Sequence, residues 1–353
     1  MSDWRFMGQA LEVARRAAGR TSPNPMVGAV VVRDGEVIAE GWTQPPGEDH
    51  AEPHALKKVG GRADGASLYV TLEPCCHFGR TPPCTEAIVA SGIRRVVVGI
   101  VDPFPLVSGR GIAALRAAGI TVDVGLREAE CRKLNRGFLR AVASGLPEVT
   151  LKAATSLDGR IASATGESRW ITGPAARAVG HALRDTHDAV LVGIGTVLAD
   201  DCALDTRIPG GRNAVPIVLD TRLRIPPHAR VLTAGRRALV ICAEDAPEKE
   251  LPAEVVRVPR GVGGVELGAA LRAIVARGHH HVLVEGGASV HRALLDGGFA
   301  DRLELFLNGR VLAGGPGMIG GLGFSLASAP AFRFVSSAPV GDDLHVSLER
   351  VEG

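Results

Sequence analysis

The 353-residue chain is poor in rings, with one tyrosine, three tryptophans and nine phenylalanines, and it lacks a strong charge of either sign. Its 40 basic and 38 acidic side chains leave a formal net charge of only +2. Such a balance excludes an acidic solvating chain. It also removes the basic footprint of a nucleic-acid binder, and the scarcity of rings removes the stacking surfaces one would use. No apolar run is long enough to span a bilayer. The opening stretch MSDWRFMGQALEVARRAAG carries Asp3, Arg5 and Glu12 where a secretory signal needs an apolar core. It reads as an amphipathic helix, with Phe6, Ala10, Val13 and Ala17 near helical spacing. A cytoplasmic location is therefore expected, and in that reducing compartment six cysteines are poor candidates for disulfides.

What is abundant is alanine, valine, glycine and arginine, a composition suited to Val-rich strands and Ala-rich helices. A chain this long exceeds one ordinary core, so two domains are expected. GAVVVRDGEVIAEGW, residues 28–42, reads as two strands joined by an Asp34-Gly35 hairpin turn. Helical and strand-like segments then alternate through HAEPHALKKVG, ASLYVTLEPC, CTEAIVASG, RRVVVGIVDP, GRGIAALRAAG and ITVDVG. Gly145 and Pro147 punctuate the chain, and the alternation restarts at EVTLKAATSLDGRIA. It continues through HDAVLVGIGTVLADD, VPIVLD, RALVICAE, EVVRVP and HHVLVEGGASVHRALLDGG, and two long strand-like stretches close the chain. The expectation is an α/β protein of two unlike units, 1–146 and 147–353, each a mixed sheet with helices on its faces.

Chemistry concentrates in LEPCCHFGRTPPCTEA, residues 72–87, where Cys75, Cys76 and Cys84 crowd around His77. A hydrolytic zinc site needs three protein ligands, an open position, and a nearby group that moves protons. HAE supplies His50 at the start of a helix, with Glu52 two residues on as a proton carrier. The cysteines sit where a strand hands over to a helix, whose positive end helps keep sulfur ionised. A lone His50 would more often be a helix cap and a lone Pro-Cys a buried thiol; the combination argues for a metal. Cys75 and Cys76 are adjacent, so they leave the strand end in different directions and are awkward as joint ligands. Cys131, Cys202 and Cys242 stand singly and read as small buried hydrophobes.

HAE with EPC and a third cysteine resembles the zinc signature of cytidine-deaminase-like enzymes, which use a His, two Cys and a non-ligating Glu. The usual two residues between cysteines are here eight. With that insertion, TLEPCCHFGRTPPC, TSPNPMVGAVVV and HAEPHAL resemble the deaminase half of the bifunctional deaminase–reductases of riboflavin biosynthesis. LKAATSLDGRIA, GESRWITG, TVLADD and VEGGASV stand in the order of that family's reductase half, so the resemblance covers essentially the whole chain.

The resemblance implies a cytidine-deaminase-like three-layer domain followed by a dihydrofolate-reductase-like domain. It assigns Zn2+ to His50, Cys75 and Cys84, with Glu52 catalytic and Cys76 a bystander. It places Asn24 on the pyrimidine ring and His77 and Arg80 of the insert near a ribose phosphate, where a solvated loop is the plain alternative. Asp102 is expected to face the same cleft. Phe104 stands where the family's Asp-Pro-Asn-Pro run has asparagine, which removes a polar contact there.

The second half is read as lacking a Gly-x-Gly-x-x-Gly fingerprint, so a Rossmann assignment is unsupported. VLVEGGASVHRALL instead offers a strand, two glycines and a helix, whose first amides can meet a phosphate. The resemblance makes this an NADPH site. Gly287, Ala288, Ser289, Val290, His291, Arg292 and Ala293 then form its phosphate turn, and Ala154, Trp170, Thr196, Asp200 and Thr221 are further cofactor positions. Ser168, Arg184, Leu204, Arg207 and Glu285 are substrate positions. Arg184 and Arg207 suit a phosphate because a guanidinium fork matches its oxygens. Lys152 and Glu285 are the candidates for supplying a proton and for electrostatic support. Cys202 replaces a common proline, and the three histidines of GHHHVLV, 278–284, cannot all face one site and read as a strand edge.

The expected protein acts on a small phosphorylated pyrimidine, without nucleic acid or membrane, and self-associates. The rivals are a single-activity zinc nucleoside or base deaminase with a non-catalytic second domain, and a structural zinc module.

Overall fold

The computed structural model describes residues 2–321 and 323–351. The chain divides into two compact units, Met1–Gly145 and Leu146–Gly353.

The first unit runs α1 (Ser2–Ala14), β1 (Gly28–Arg33), β2 (Glu36–Trp42), α2 (Ala51–Lys57), β3 (Ser67–Leu72), α3 (Cys84–Ala90), β4 (Arg95–Ile100), α4 (Arg110–Ala117), β5 (Thr121–Val124), α5 (Glu128–Leu134) and α6 (Arg136–Ser144). Its sheet order is β2-β1-β3-β4-β5, with β1 antiparallel to both neighbours and β3, β4 and β5 parallel. The hairpin between β1 and β2 turns at Asp34 and Gly35, both with positive φ, the geometry of a two-residue turn. Ala29, Val30, Val31, Leu68, Val70, Val96 and Val98 are all fully covered. These strands are buried on both faces, and for that reason they read as unbroken apolar runs rather than as an alternation.

The second unit runs β6 (Glu148–Ser156), α7 (Pro174–Thr186), β7 (Ala189–Gly193), α8 (Ile194–Asp200), β8 (Val215–Leu219), α9 (Arg230–Thr233), β9 (Ala238–Ala243), β10 (Ala253–Val258), a short ribbon of β11 (Arg260–Gly261) and β12 (Gly264–Val265), α10 (Leu267–Val275), β13 (His281–Val284), α11 (Ala288–Asp296), β14 (Arg302–Asn308), β15 (Phe332–Val340) and β16 (Asp343–Arg350). Nine strands form one sheet in the order β10-β9-β8-β7-β13-β6-β14-β16-β15, parallel as far as β14 and antiparallel beyond it. Successive residues of β7 serve opposite faces. Leu191 joins Val149, Ile217 and Val284 in one core, while Val190 and Val192 join Val218 and Val240 in the other.

Both units are mixed α/β sheets, as the composition and alternation predict. Helices α5, α6, α7, α9 and α10 are additions to the sequence reading. The Gly-x-Gly-x-x-Gly spacing does occur once, at Gly315–Gly320, but in the loop after β14 rather than between a strand and a helix. Of the three consecutive histidines, His280 is buried and its amide, like that of His281, donates to Asp188. No described helix is long and apolar enough to cross a membrane.

Candidate active sites

In the first unit the local folding rules bring three donor atoms together. His50 is the N-cap of α2, which puts Glu52 in the first helical turn and buries it. Helix α2 lies directly on β2 because residue 41 is glycine: a Cβ there would stand 2.1 Å from the Ala51 carbonyl oxygen. Cys75 follows the carboxyl end of β3, and Cys84 opens α3, whose amide at Cys84 donates to Cys75 Sγ at 3.3 Å. His50 Nδ1 lies 3.6 Å from Cys75 Sγ and 3.3 Å from Cys84 Sγ. All three donor atoms fall within 4.8 Å of one another, and among the described residues no other His, Cys, Asp and Glu group of this kind occurs. Cys76 is not in the group; its thiol points to the Leu106 carbonyl.

The electrostatics suit a thiophilic cation. Hydrogen bonding from Cys84 and His50, against the cost of burial, draws the Cys75 thiol down to about 4, whereas Cys84 is pushed well up by its bond to Cys75 and by burial. The pair therefore shares one negative charge, with a second proton ready to leave when a cation arrives. Burial pushes the Glu52 carboxyl up to about 7, and the Cys75 charge adds to it. One imidazole, two sulfurs and no fourth protein ligand among the described residues fit a catalytic rather than a structural zinc site.

A cleft of about 190 Å³ opens onto these donors, lined by Asn24, His77, Arg80 and Thr81 together with His50 and Cys75. Thr81, which sequence reasoning missed, places its hydroxyl 3.5 Å from His50 Nε2. Asp102 stands apart from this lining. It is buried, its carboxylate accepts the Phe104 amide, and burial pushes it up to about 6. The organiser here is another missed residue, buried Glu73. Its two oxygens accept the amides of Asp102, Gly109 and Ile112, which pins the end of β4 and the start of α4 beside the Cys75 loop. Phe104 packs its ring 6.1 Å from that of His77.

In the second unit a cavity of about 860 Å³ opens at the carboxyl ends of neighbouring parallel strands, where such folds hold ligands. Of the positions named from sequence, Lys152, Ala154, Ser168, Trp170, Thr196, Asp200, Arg184, Arg207, Glu285, Gly287, Ala288 and His291 line it. Gly286, at φ +131, makes the turn out of β13, and Gly287 caps α11. That leaves the first amides of α11 without helical acceptors, the arrangement that receives a phosphate. The cavity's size and this helix start fit a dinucleotide cofactor.

Other positions stand elsewhere. Leu204 is buried in the core beside Val218, with only its backbone, at φ 55, in an unusual conformation. Thr221, Ser289, Val290, Arg292 and Ala293 are not among the lining residues. Arg292 pairs with Asp296 and covers Phe324, and Val290 packs into the core. His291 reaches the cavity, but its ring nitrogens face the carbonyls of Met318 and Val284.

Two of the expected polar positions engage each other. Burial alone would raise the Glu285 carboxyl, but Arg184 and Lys152 overcome that and draw it down to about 2, which favours the electrostatic part of its expected role. Arg184, expected to meet the substrate phosphate, lines the cavity and donates to both Glu285 oxygens and to the Asp205 carbonyl. Lys152 Nζ lies 3.9 Å from Glu285 Oε2.

Fold and site together define a zinc-dependent deaminase joined to a nucleotide-dependent reductase. Comparison with known proteins gives the family. The cytidine and deoxycytidylate deaminase zinc-binding region matches residues 1–100, and the RibD C-terminal domain matches residues 147–346. The riboflavin biosynthesis protein RibD of Bacillus amyloliquefaciens is 42% identical over 99% of this chain and 96% of its own, and that of Escherichia coli K12 is 40% identical over 99% of both. A crystal structure of the diaminohydroxyphosphoribosylaminopyrimidine deaminase/5-amino-6-(5-phosphoribosylamino)uracil reductase of Thermotoga maritima superposes with a TM-score of 0.90 at 38% identity, covering 99% of each chain. Acinetobacter baumannii RibD superposes with a TM-score of 0.91 at 37% identity, also over 99% of each. The chain belongs to the RibD family, the bifunctional deaminase–reductases of riboflavin biosynthesis, whose cofactors are zinc and NADPH.

Proposed function

We propose that residues 1–146 deaminate 2,5-diamino-6-(5-phosphoribosylamino)pyrimidin-4(3H)-one and that residues 147–353 then reduce the ribosyl group of 5-amino-6-(5-phosphoribosylamino)uracil to ribityl. The observation that carries this reading is the convergence of His50, Cys75 and Cys84, with the buried Glu52 outside the donor group, in one chain with the Lys152–Glu285–Arg184 cavity.

Zinc, when bound, supplies the Lewis acidity that makes water nucleophilic near neutral pH, and NADPH supplies a hydride. His50, Cys75 and Cys84 hold the metal. Glu52 takes a proton from the attacking water and returns it to the departing amine, a task suited to a carboxyl held near 7. Asn24 orients the pyrimidine ring, and His77 and Arg80 receive the ribose phosphate.

In the reductase the α11 start at Gly287 and Ala288 receives the cofactor phosphates, with Ala154, Trp170, Thr196 and Asp200 around the rest of it. As C1′ gains hydride and the C1′–O4′ bond opens, the ring oxygen needs a proton, and Lys152 gives it. Glu285, kept ionised by Arg184, holds the Lys152 ammonium in place and remains an acceptor throughout. Ser168 and Arg207 hold the substrate.

The protein works in the cytoplasm on small molecules, without nucleic acid or membrane, and as a homo-oligomer. All six cysteines are free thiols, which supports a reducing compartment. The exposed edge strand β15, with Phe334 open to solvent, supports self-association.

The test is separation of the two activities. Glu52→Ala is expected to abolish ammonia release and leave reduction of supplied aminouracil intact; loss of both would undo the two-site assignment.

A further inference from the structure

Helix α7 turns one face toward the reductase cavity, and that face carries Arg177, Gly180, His181 and Arg184 at helical spacing. Three of the four have identifiable work. Gly180 leaves room for Lys152, whose Cε and Nζ would stand 3.5 and 3.6 Å from a Cβ at that position. Arg184 orients Glu285. Arg177 lies 4.3 Å over the Trp170 ring and donates to the Thr172 carbonyl.

His181 has no such engagement. Its Nδ1 is buried without a hydrogen-bond partner among the described residues. Burying a polar nitrogen unpaired is costly, and a ligand that pairs it recovers that cost. Nδ1 itself is closed to solvent, but other atoms of the ring line the reductase cavity, so a ligand held there meets the imidazole.

The surroundings define the partner's chemistry. Burial lowers the basicity of the His181 ring, and the positive charges of Arg184 and Arg207 lower it further. The carboxylates acting the other way, Glu285 and Asp205, are already paired with those same arginines. The two guanidinium groups near the ring disfavour a further cation there and favour an anion. The imidazole can donate one N–H to an anionic oxygen, and a bound dianion favours uptake of a second proton by the ring. Arg207 is half-exposed, and only its Nε is engaged, by Asp205, so its outer N–H groups remain for the same anion.

We propose that His181 contacts the phosphate of the reductase substrate, together with Arg207. This deepens the reductase assignment above and rests on it. Both molecules in the cavity carry phosphate. The start of α11 already offers the cofactor's pyrophosphate a site, and the two phosphates that remain, the substrate's and the cofactor's 2′-phosphate, are told apart by the NADPH KM below.

The experiment compares His181→Ala and His181→Gln with the native enzyme in three steady-state measurements. These are the KM and kcat for 5-amino-6-(5-phosphoribosylamino)uracil, the inhibition constant of ribose 5-phosphate competing with it, and the KM for NADPH. Loss of a hydrogen bond to a charged group predicts a rise of about tenfold or more in substrate KM. The ribose 5-phosphate constant should rise in parallel, with kcat and the NADPH KM within about twofold of native. The Gln variant, which keeps an N–H donor, should recover part of the loss, and it carries the same comparison if the Ala variant does not fold. Unchanged substrate KM and inhibition constant in both variants would overturn the proposal. So would a rise confined to the NADPH KM, which assigns the contact to the cofactor, or a fall in kcat alone. A native enzyme that does not oxidise NADPH with this substrate defeats the reductase reading itself, whereas an active native enzyme matched by its variants defeats only the role of His181.

Discussion

Arg184 and Glu285 meet through two parallel N–H···O bonds, Nε to Oε1 at 2.5 Å and Nη2 to Oε2 at 2.8 Å, although 101 residues separate them in the chain. The guanidinium fork fixes the plane of the carboxylate, and burial makes the pair costly to break. A carboxylate whose folded pKa lies at about 2 contributes stability that is fully present above its ordinary value of 4.5 and is lost as pH falls toward 2. Acid unfolding followed by circular dichroism should therefore show roughly 3 kcal/mol of stability disappearing across that window. In Glu285→Gln the acid dependence should flatten, and stability at neutral pH should fall by about 3–5 kcal/mol because Arg184 is left buried without its partner. Coincident acid curves for the two proteins would contradict the pairing.

The sulfur assignment separates neighbours. Cys76→Ser should retain zinc and ammonia release, because its thiol faces the Leu106 carbonyl rather than His50. Cys75→Ser and Cys84→Ser should each lose zinc on dialysis against a weak chelator. In the native protein a strong chelator should stop ammonia release and leave NADPH oxidation on supplied aminouracil unchanged. Metal analysis that finds the Cys76 variant as depleted as the other two would overturn the ligand set.

Proton delivery by Lys152 predicts a loss in turnover rather than in cofactor binding. Lys152→Met should lower kcat for reduction by about 10²–10⁴, the range for a general acid, with the NADPH KM within about threefold. Deaminase activity should not change. A variant that reduces substrate at the native rate would remove Lys152 from the mechanism.

Gly41 tests how the fold aims the zinc ligands. In Gly41→Ala the new Cβ would lie 2.1 Å from the Ala51 oxygen and 2.4 Å from the Ala55 amide nitrogen, both backbone atoms that cannot rotate away. Helix α2 must move, and it carries His50 at its cap and Glu52 in its first turn. The expected cost is about 1–3 kcal/mol in thermal unfolding, with weaker zinc binding in a competition titration. Native stability and native zinc affinity together would show that the close approach does not set the site.

The zinc centre was legible in the sequence because its chemistry is carried by residues that are rare elsewhere and lie at the ends of recognisable elements. His50 and Glu52 share one helix start, and Cys75 and Cys84 flank one strand-to-helix loop. Helix α7 was not legible. Only Ala176 and Gly180 of its thirteen residues are buried, so the face turned to the cavity carries charge and no apolar stripe. His181 and Arg177 were invisible for the same reason. The Arg184–Glu285 pair was hidden for a different reason: which charge meets which depends on a parallel pairing that brings distant segments together, and no local spacing reports it. Glu73 is similar, a carboxylate whose partners are backbone amides from the loop after β4 and the start of α4.

The central claim is that one chain performs both steps in order. Purified protein given 2,5-diamino-6-(5-phosphoribosylamino)pyrimidin-4(3H)-one and NADPH, with ammonia and NADPH absorbance followed in the same reaction, tests it most directly. The account predicts one ammonia released and then one NADPH oxidised per substrate consumed, with no NADPH oxidised in the Glu52→Ala variant until aminouracil is added. Ammonia release with no NADPH oxidation, or NADPH oxidation that does not depend on prior deamination, would contradict it.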